Sequence, residues 1–139
     1  MKRAAIAEVQ QVNVQHDGDV VLARQMGRQM AMDLGFSKAD QALIATAISE
    51  LARNIVNYAS RGTVEMHPIT NSRDTRIHVV VSDVGPGIDD IEAAMADGFS
   101  TGRSLGLGLP GTKRIVDEFD IQSTPGEGVT ITIVKWKLR

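Results

Sequence analysis

Three segments of the chain combine carboxylates, side-chain amides and glycines, which are groups that bind anions and hard cations. They read ELARNIVN at positions 50–57, DVGPGI at positions 83–88 and GLGLPG at positions 106–111. Each segment taken alone has an ordinary structural explanation. In this order and at these separations, we interpret them as three sides of one nucleotide pocket.

The first segment lies on a long predicted helix. Apolar residues recur there at i, i+4, i+7 and i+11 and predict the buried stripe (Ile44, Ile48, Leu51 and Ile55). Glu50, Asn54 and Asn57 follow an adjacent ridge at i, i+4 and i+7. Asparagine within a helix costs several tenths of a kcal/mol relative to a strong helix former. We therefore expect these two asparagines to make a favourable interaction that offsets this cost. Oxygen ligation of Mg²⁺ is one explanation, and a solvated polar side of the helix is the other.

The second segment follows an apolar strand that ends in Asp83. Gly85 and Gly87 then allow a sharp turn and a close approach of the backbone to a ligand. A carboxylate at this corner can accept a hydrogen bond from an exocyclic amine such as that of adenine. The alternative is a turn aspartate that bonds its own backbone.

The third segment matches G-x-G-x-x-G, but the residues before it predict a loop, whereas a dinucleotide-binding Rossmann motif needs a strand there. A P-loop also fails, since Thr112 and Lys113 stand in the wrong order. Pro110 suits the first turn of a helix, whose free N–H groups favour phosphate. The glycines between Gly98 and Gly111 suit a lid over a nucleotide.

Composition limits the remaining possibilities. The chain has 139 residues, which predicts one domain spanning positions 1–139. It lacks cysteine, which excludes disulfides and thiolate catalysis. Its 15 basic and 17 acidic residues are dispersed, so we expect no nucleic-acid partner. No apolar run is long enough to span a membrane and the start does not resemble a signal peptide, so we expect a cytoplasmic protein without a membrane partner. The three histidines lack metal-ligand spacing, and we expect structural roles for them.

The predicted fold class is α/β. We expect a two-layer sandwich in which helices cover one face of a mixed, mostly antiparallel sheet. The predicted helices cover residues 17–34, 37–59, 88–96 and 110–118, and an extended loop covers residues 97–108. The predicted strands cover residues 4–15, 63–70, 75–82, 121–124 and 128–137.

The motif set Glu-x-x-x-Asn, Asp-x-Gly-x-Gly, a glycine-rich lid and a late Gly-x-Gly-x-Thr resembles the Bergerat ATP-binding fold. That fold defines the GHKL superfamily of gyrase, Hsp90, histidine kinases and MutL. As a compact domain, the chain is similar to the anti-sigma-factor class of bacterial serine/threonine kinases. Within that class, its glycine-rich lid, residues 98–111, is similar to that of the switch kinases of the stressosome. The similarity covers nearly the whole chain. The resemblance implies ATP and Mg²⁺ as cofactors.

The resemblance also implies roles on the helix. Glu50 matches the catalytic carboxylate that orients or deprotonates the acceptor hydroxyl. Asn54 matches the asparagine that chelates the Mg²⁺ bridging the ATP phosphates. Arg53 and Asn57 lie close to these positions, and we assign them only as candidate phosphate contacts. Many relatives carry a histidine shortly after this motif, whereas this chain has Tyr58 and then Ala-Ser.

Further roles follow for the other segments. Asp83 matches the aspartate that bonds the adenine amine, Gly85 and Gly87 match glycines beside the base, and Thr130 matches a threonine near adenine on a late strand. The phosphate side of the lid is matched by four residues (Gly106, Leu107, Gly108 and Gly111).

The function implied by the resemblance is transfer of the ATP γ-phosphoryl group to serine or threonine of STAS-domain proteins, of the RsbS and RsbR kinds. The implied output partner is a PP2C-type phosphatase of the RsbU kind, activated by partner switching. A histidine kinase is disfavoured because we predict no phosphoacceptor hairpin before the domain. Two alternatives stay open: an anti-sigma-factor kinase that sequesters a sigma factor, and an ATP-dependent binding module without turnover.

Overall fold

Five antiparallel strands form one sheet in the computed structural model, which describes residues 8–85, 95 and 108–137. The strand order is β1-β2-β3-β5-β4, and every neighbouring pair is antiparallel. The elements in chain order are β1 (Gln10–Val14), α1 (Asp17–Asp33), α2 (Lys38–Tyr58), β2 (Gly62–Thr70), β3 (Thr75–Asp83), α3 (Gly108–Ile115), β4 (Glu118–Thr124) and β5 (Gly128–Trp136).

The core lies between one face of this sheet and the helices. Alternate strand residues such as Val64, Val79 and Ile131 are buried there, as expected for a sheet that has one covered face. The predicted apolar stripe of α2 is buried against them (Ile44, Ile48, Leu51 and Ile55). The predicted two-layer α/β architecture is therefore confirmed, and all strand pairs within the described residues are antiparallel.

Helix α2 begins as predicted. Ser37 is its N-cap, and the hydroxyl of Ser37 accepts the backbone N–H of Asp40 at 3.1 Å. The helix runs for 21 residues, and Ala59 at its C-terminal end lies against Gly85, just after β3. Neither this helix nor any other in the described part of the chain is long and apolar enough to cross a membrane.

Helix α1 packs closely on α2. A side chain at Gly27 would collide with Ile48 of α2, so glycine permits the close approach of the two helices. Gly35, at φ +86°, follows the last turn of α1, close to the predicted end of this helix at residue 34. Helix α1 begins at Asp17, the first residue of the predicted range, and His16 is its N-cap residue. The carboxylate that bonds the preceding backbone belongs to Asp19, which accepts the N–H groups of Gln15 and His16.

After the third motif, the helix is shorter and the following strand is longer than predicted. Helix α3 begins at Gly108 and ends at Ile115, whereas the prediction was residues 110–118. Strand β4 begins at Glu118 instead of residue 121, because Phe119 and Ile121 pack against the core while their neighbours are exposed. This alternation over only a few residues was misread as the end of a helix. The predicted helix 88–96 and loop 97–108 lie outside the described residues, apart from residue 95 and Gly108.

Candidate active site

The polar ridge of α2 lies beside its buried stripe. Glu50 is only 5% exposed although it is ionisable, whereas Asn54 and Asn57 are half-buried. Burying a carboxylate is costly unless it is paired and hydrogen-bonded. The position of Glu50 therefore requires partners nearby, and two of them are found on different elements.

The two oxygens of Glu50 have separate partners. Oε2 accepts from the Arg53 guanidinium at 2.8 Å, one helical turn further along α2. Oε1 accepts the backbone N–H of Gly108, the first residue of α3, at 3.2 Å. The same turn of α3 is closed by Thr112, which is fully buried and donates its hydroxyl to the carbonyl of Gly108 at 2.9 Å. The start of α3 is thus attached to the middle of α2 through Glu50.

The Asp83 carboxylate lies at the other end of the same ridge. Its Oδ1 accepts the N–H of Gly85 at 2.9 Å and the N–H of Val129 at 3.1 Å. The first of these is the local turn contact that the sequence left as an alternative. The second joins the ends of two neighbouring strands.

Gly85 brings this corner against the end of α2. A Cβ on Gly85 would lie 2.6 Å from the Cβ and 2.9 Å from the Cα of Ala59. No larger residue fits without movement of the backbone. Tyr58, the last residue of α2, lies eight positions after Glu50, which corresponds to about 12 Å at the usual helical rise. Glu50 therefore lies about two turns before the end of α2, and Asp83 lies close to that end because it bonds Gly85, which meets Ala59.

Thr130 lies apart from this arrangement. It pairs with Ser82 in the sheet, and it alternates with Val129 and Ile131, which are buried on the helix side. Its side chain is therefore on the opposite face of the sheet from Asp83. The structure does not bring the side chain of Thr130 together with the ridge of α2.

Five further predicted residues have different outcomes. Gly108 and Gly111 belong to α3, where Gly111 is buried against the neighbouring elements. Gly87, Gly106 and Leu107 lie outside the described residues. Of the phosphate-side glycines, the structure therefore brings Gly108 directly to Glu50.

Two supporting residues were missed from the sequence. Gly128 has φ +117°, and a Cβ there would collide with the carbonyl oxygen of Asp83. Thr112 supports the first turn of α3 as described above. A glycine directly after the turn Pro-Gly-Glu was a usable signal for Gly128. Nothing in the sequence indicated that the hydroxyl of Thr112 would turn back onto its own helix.

The donor set of the ridge fits magnesium. Mg²⁺ commonly keeps several waters and takes one or two protein oxygens together with substrate phosphates. The amide oxygen of Asn54, one turn beyond Glu50 on the half-buried ridge, supplies an oxygen of this kind. Within the described residues, no cluster of three or more acidic, histidine or cysteine side chains could hold a metal ion alone.

The chain matches a known family model and a curated relative. The model of histidine kinase-, DNA gyrase B- and HSP90-like ATPases matches residues 39–139. The chain is 48% identical over 125 residues to "Serine/threonine-protein kinase RsbT" of Bacillus subtilis (strain 168), covering 90% of this chain and 94% of that protein. It is 32% identical over 97 residues to the "Anti-sigma F factor" of Caldanaerobacter subterraneus subsp. tengcongensis, covering 67% of this chain and 68% of the relative.

Solved structures share the fold at low sequence identity. The RsbU and RsbW domains of Rv1364c from Mycobacterium tuberculosis superpose with a TM-score of 0.62 at 19% identity, covering 94% of this chain and 33% of that one. The mycobacterial sensor histidine kinase MprB superposes with a TM-score of 0.55 at 16% identity, covering 92% and 97% of the two chains. With the family model matching most of its length, the chain belongs to the histidine kinase-, DNA gyrase B- and HSP90-like ATPase family.

Proposed function

We propose that the protein is a serine/threonine protein kinase that transfers the ATP γ-phosphoryl group to STAS-domain partner proteins. The observation that carries this proposal is the contact between Glu50 and the N–H of Gly108. It brings a carboxylate suited to accept a proton next to a helix end suited to bind phosphate. The 48% identity to a protein named as a serine/threonine kinase supports the same activity.

The adenine end of the nucleotide would lie at Asp83. Both hydrogen bonds of this carboxylate within the described residues fall on Oδ1. Oδ2 is the oxygen that would accept the exocyclic amine of adenine. Because Gly85 and Val129 hold the carboxylate in place, little side-chain entropy is lost when the base binds.

The phosphates would lie at the other end, near the start of α3. Because Glu50 takes the N–H of Gly108 and Pro110 has none, the dipole of α3 is the main feature that would favour an anion there, by about 0.3–1 kcal/mol at an exposed site. Asn57 remains a candidate phosphate contact on the ridge of α2, whereas the guanidinium of Arg53 is already paired with Glu50. Mg²⁺, bound through Asn54, would neutralise charge that develops on the phosphate oxygens.

The chemical step is a displacement at phosphorus. The bond between the γ-phosphorus and the oxygen that bridges it to the β-phosphorus breaks, and a bond forms between phosphorus and the serine or threonine oxygen. ADP leaves with the bridging oxygen. The hydroxyl proton passes to Glu50, which later releases it to solvent. Positioning contributes most in such reactions, and the fixed carboxylate of Glu50 meets that requirement.

The partner proteins follow from the resemblance of the sequence to stressosome switch kinases. STAS-domain proteins of the RsbS and RsbR kinds would be the substrates, and a PP2C-type phosphatase of the RsbU kind would be the protein activated by partner switching. The identity to RsbT over nearly the full length of both chains supports this choice. A second candidate is a kinase that also sequesters a sigma factor. The observation that supports it is the 32% identity to an anti-sigma F factor.

A labelling experiment tests the proposal. The purified protein is incubated with Mg²⁺, ATP labelled at the γ-phosphate and a purified STAS-domain protein from the same organism. We expect label on serine or threonine of the STAS protein. Tight ATP binding without labelling would indicate a nucleotide-dependent binding module. Co-purification of a sigma factor without a STAS protein would move the assignment to the anti-sigma class.

A further inference from the structure

The Glu50 carboxylate is held from two sides by groups of different character. The Arg53 guanidinium contacts Oε2 at 2.8 Å, and the Gly108 backbone N–H contacts Oε1 at 3.2 Å. The Glu50 side chain is 6% exposed, whereas that of Arg53 is 40% exposed. The ion pair therefore runs from the interior toward the surface, with the carboxylate at its inner end.

Each of the two contacts holds one oxygen of the Glu50 carboxylate, and together they fix its orientation. With one oxygen attached to Arg53 and the other to Gly108, rotation about the last side-chain bond of Glu50 would break at least one hydrogen bond. Arg53 follows Glu50 at i+3 on the same helix, so α2 itself makes the two side chains neighbours. Gly108 is 58 residues away in the sequence, and its position depends on how α3 packs.

We infer that Arg53 is a positioning residue for the phosphoryl transfer proposed above, on which this inference rests. By holding Oε2, Arg53 directs Oε1 toward the first turn of α3, where the γ-phosphate and the acceptor hydroxyl would meet. Arg53 then acts through Glu50 and does not contribute mainly as a phosphate contact. A carboxylate that turned away would still be present but would not reach the proton.

Arginine suits this role better than lysine. A guanidinium presents directed N–H groups in a rigid plane, whereas a lysine ammonium is a flexible point charge. Lysine at position 53 would keep the charge but hold the carboxylate less precisely. Because misplacement of a reacting group by about 1 Å can cost on the order of a hundredfold in rate, this difference should be measurable.

The test compares Arg53→Ala and Arg53→Lys with the unaltered protein. Phosphoryl transfer to the STAS-domain protein and equilibrium binding of ATP are measured on each. We expect kcat to fall at least about tenfold in Arg53→Ala, with the Kd for ATP changed less than about twofold, and partial recovery in Arg53→Lys. Arg28→Ala, which removes an exposed arginine of α1, is the matched control and should keep both values.

A double variant shows whether Arg53 acts through Glu50. If it does, adding Arg53→Ala to Glu50→Gln should cause no further loss of transfer, because the group that Arg53 orients has already lost its function. An additional loss, an unchanged kcat in Arg53→Ala alone, or a rise in Kd as large as the fall in kcat/KM would each overturn the inference. The last result would identify Arg53 as a phosphate contact. An inactive unaltered protein would instead count against the proposed kinase function.

Discussion

The carboxylate of Asp83 accepts the backbone N–H of Val129 at 3.1 Å, so a side chain at the end of β3 fixes the start of β5. The preceding residue, Gly128, approaches the Asp83 backbone so closely that a Cβ would collide with its carbonyl oxygen. Asp83 is therefore part of the framework of the sheet as well as a candidate ligand for adenine. Experiments on this residue must separate the two roles.

Asp83→Asn should weaken ATP binding with little effect on folding. Asparagine keeps an oxygen that can accept from Gly85 and Val129. Its NH2 group, however, replaces the second carboxylate oxygen, and this group donates hydrogen bonds as the adenine amine does, so the two repel each other. A hydrogen bond to a charged group contributes about 1.5–3 kcal/mol, so the Kd for ATP should rise about ten- to a hundredfold. Titration calorimetry measures the Kd, and thermal unfolding measures stability.

Two comparisons support the interpretation of that experiment. Asp83→Ala removes the acceptor for both N–H groups and should lower the melting temperature as well as weaken ATP binding. Asp120→Asn removes an exposed carboxylate of β4 and should change neither property. If Asp83→Asn bound ATP as tightly as the unaltered protein, the adenine contact would be wrong.

Glu50→Gln should abolish most phosphoryl transfer while ATP still binds. Glutamine has nearly the same shape, so the buried site stays filled, but it cannot accept the hydroxyl proton. General base catalysis typically contributes about 10²–10⁴-fold, which sets the expected loss in single-turnover rate. Glu127→Gln, in the exposed turn between β4 and β5, is the matched control. Transfer at the normal rate in Glu50→Gln would show that another group takes the proton.

The sequence predicted the elements of the site better than their contacts. The spacing of apolar residues on α2 was enough to assign Glu50, Asn54 and Asn57 to one ridge, because helical periodicity is a local property. The contact between Glu50 and Gly108 joins residues 58 positions apart, and it depends on how α3 packs on α2. No local pattern contains that information.

The face of the sheet on which Thr130 lies was likewise not predictable from the sequence. A strand alternates its side chains between two faces, so an error of one residue in the match to a motif moves a residue to the wrong face. The motif Gly-x-Gly-x-Thr sets the distance of Thr130 from the two glycines along the chain, but it does not say which face of the sheet the threonine occupies. Burial of Val129 and Ile131 on the helix side determines the face that Thr130 occupies.

Gly85→Ala should destabilise the protein because the added methyl group would lie 2.6 Å from the Cβ of Ala59. Forcing an extra methyl group into such a contact typically costs about 1–3 kcal/mol. Gly18→Ala is a suitable control, since a Cβ at Gly18 meets no atom within 4 Å and the helix tolerates alanine there. The free energy of unfolding in urea should fall for Gly85→Ala only. Equal stability of the two variants would mean that the end of α2 moves aside at little cost.

Folding stability should decrease as the pH is lowered through the range in which His78 titrates. Burial lowers the pKa of His78 below its ordinary value of 6.5, and the neighbouring Arg76 guanidinium lowers that pKa further. Glu118 raises the pKa and His67, opposite His78 in the sheet, lowers it, but neither is the main cause.

The sign of the effect follows from proton binding in the two states. Between its folded pKa and about 6.5, His78 binds more protons in the unfolded state than in the folded state, so stability rises with pH. The contribution is complete above about pH 6.5 and is lost as the pH falls through the folded pKa. Urea unfolding at about pH 8 and at about pH 5.5 should therefore show a smaller loss of stability on acidification in His78→Gln than in the unaltered protein. An identical loss in both proteins would show that protonation of His78 is not coupled to folding.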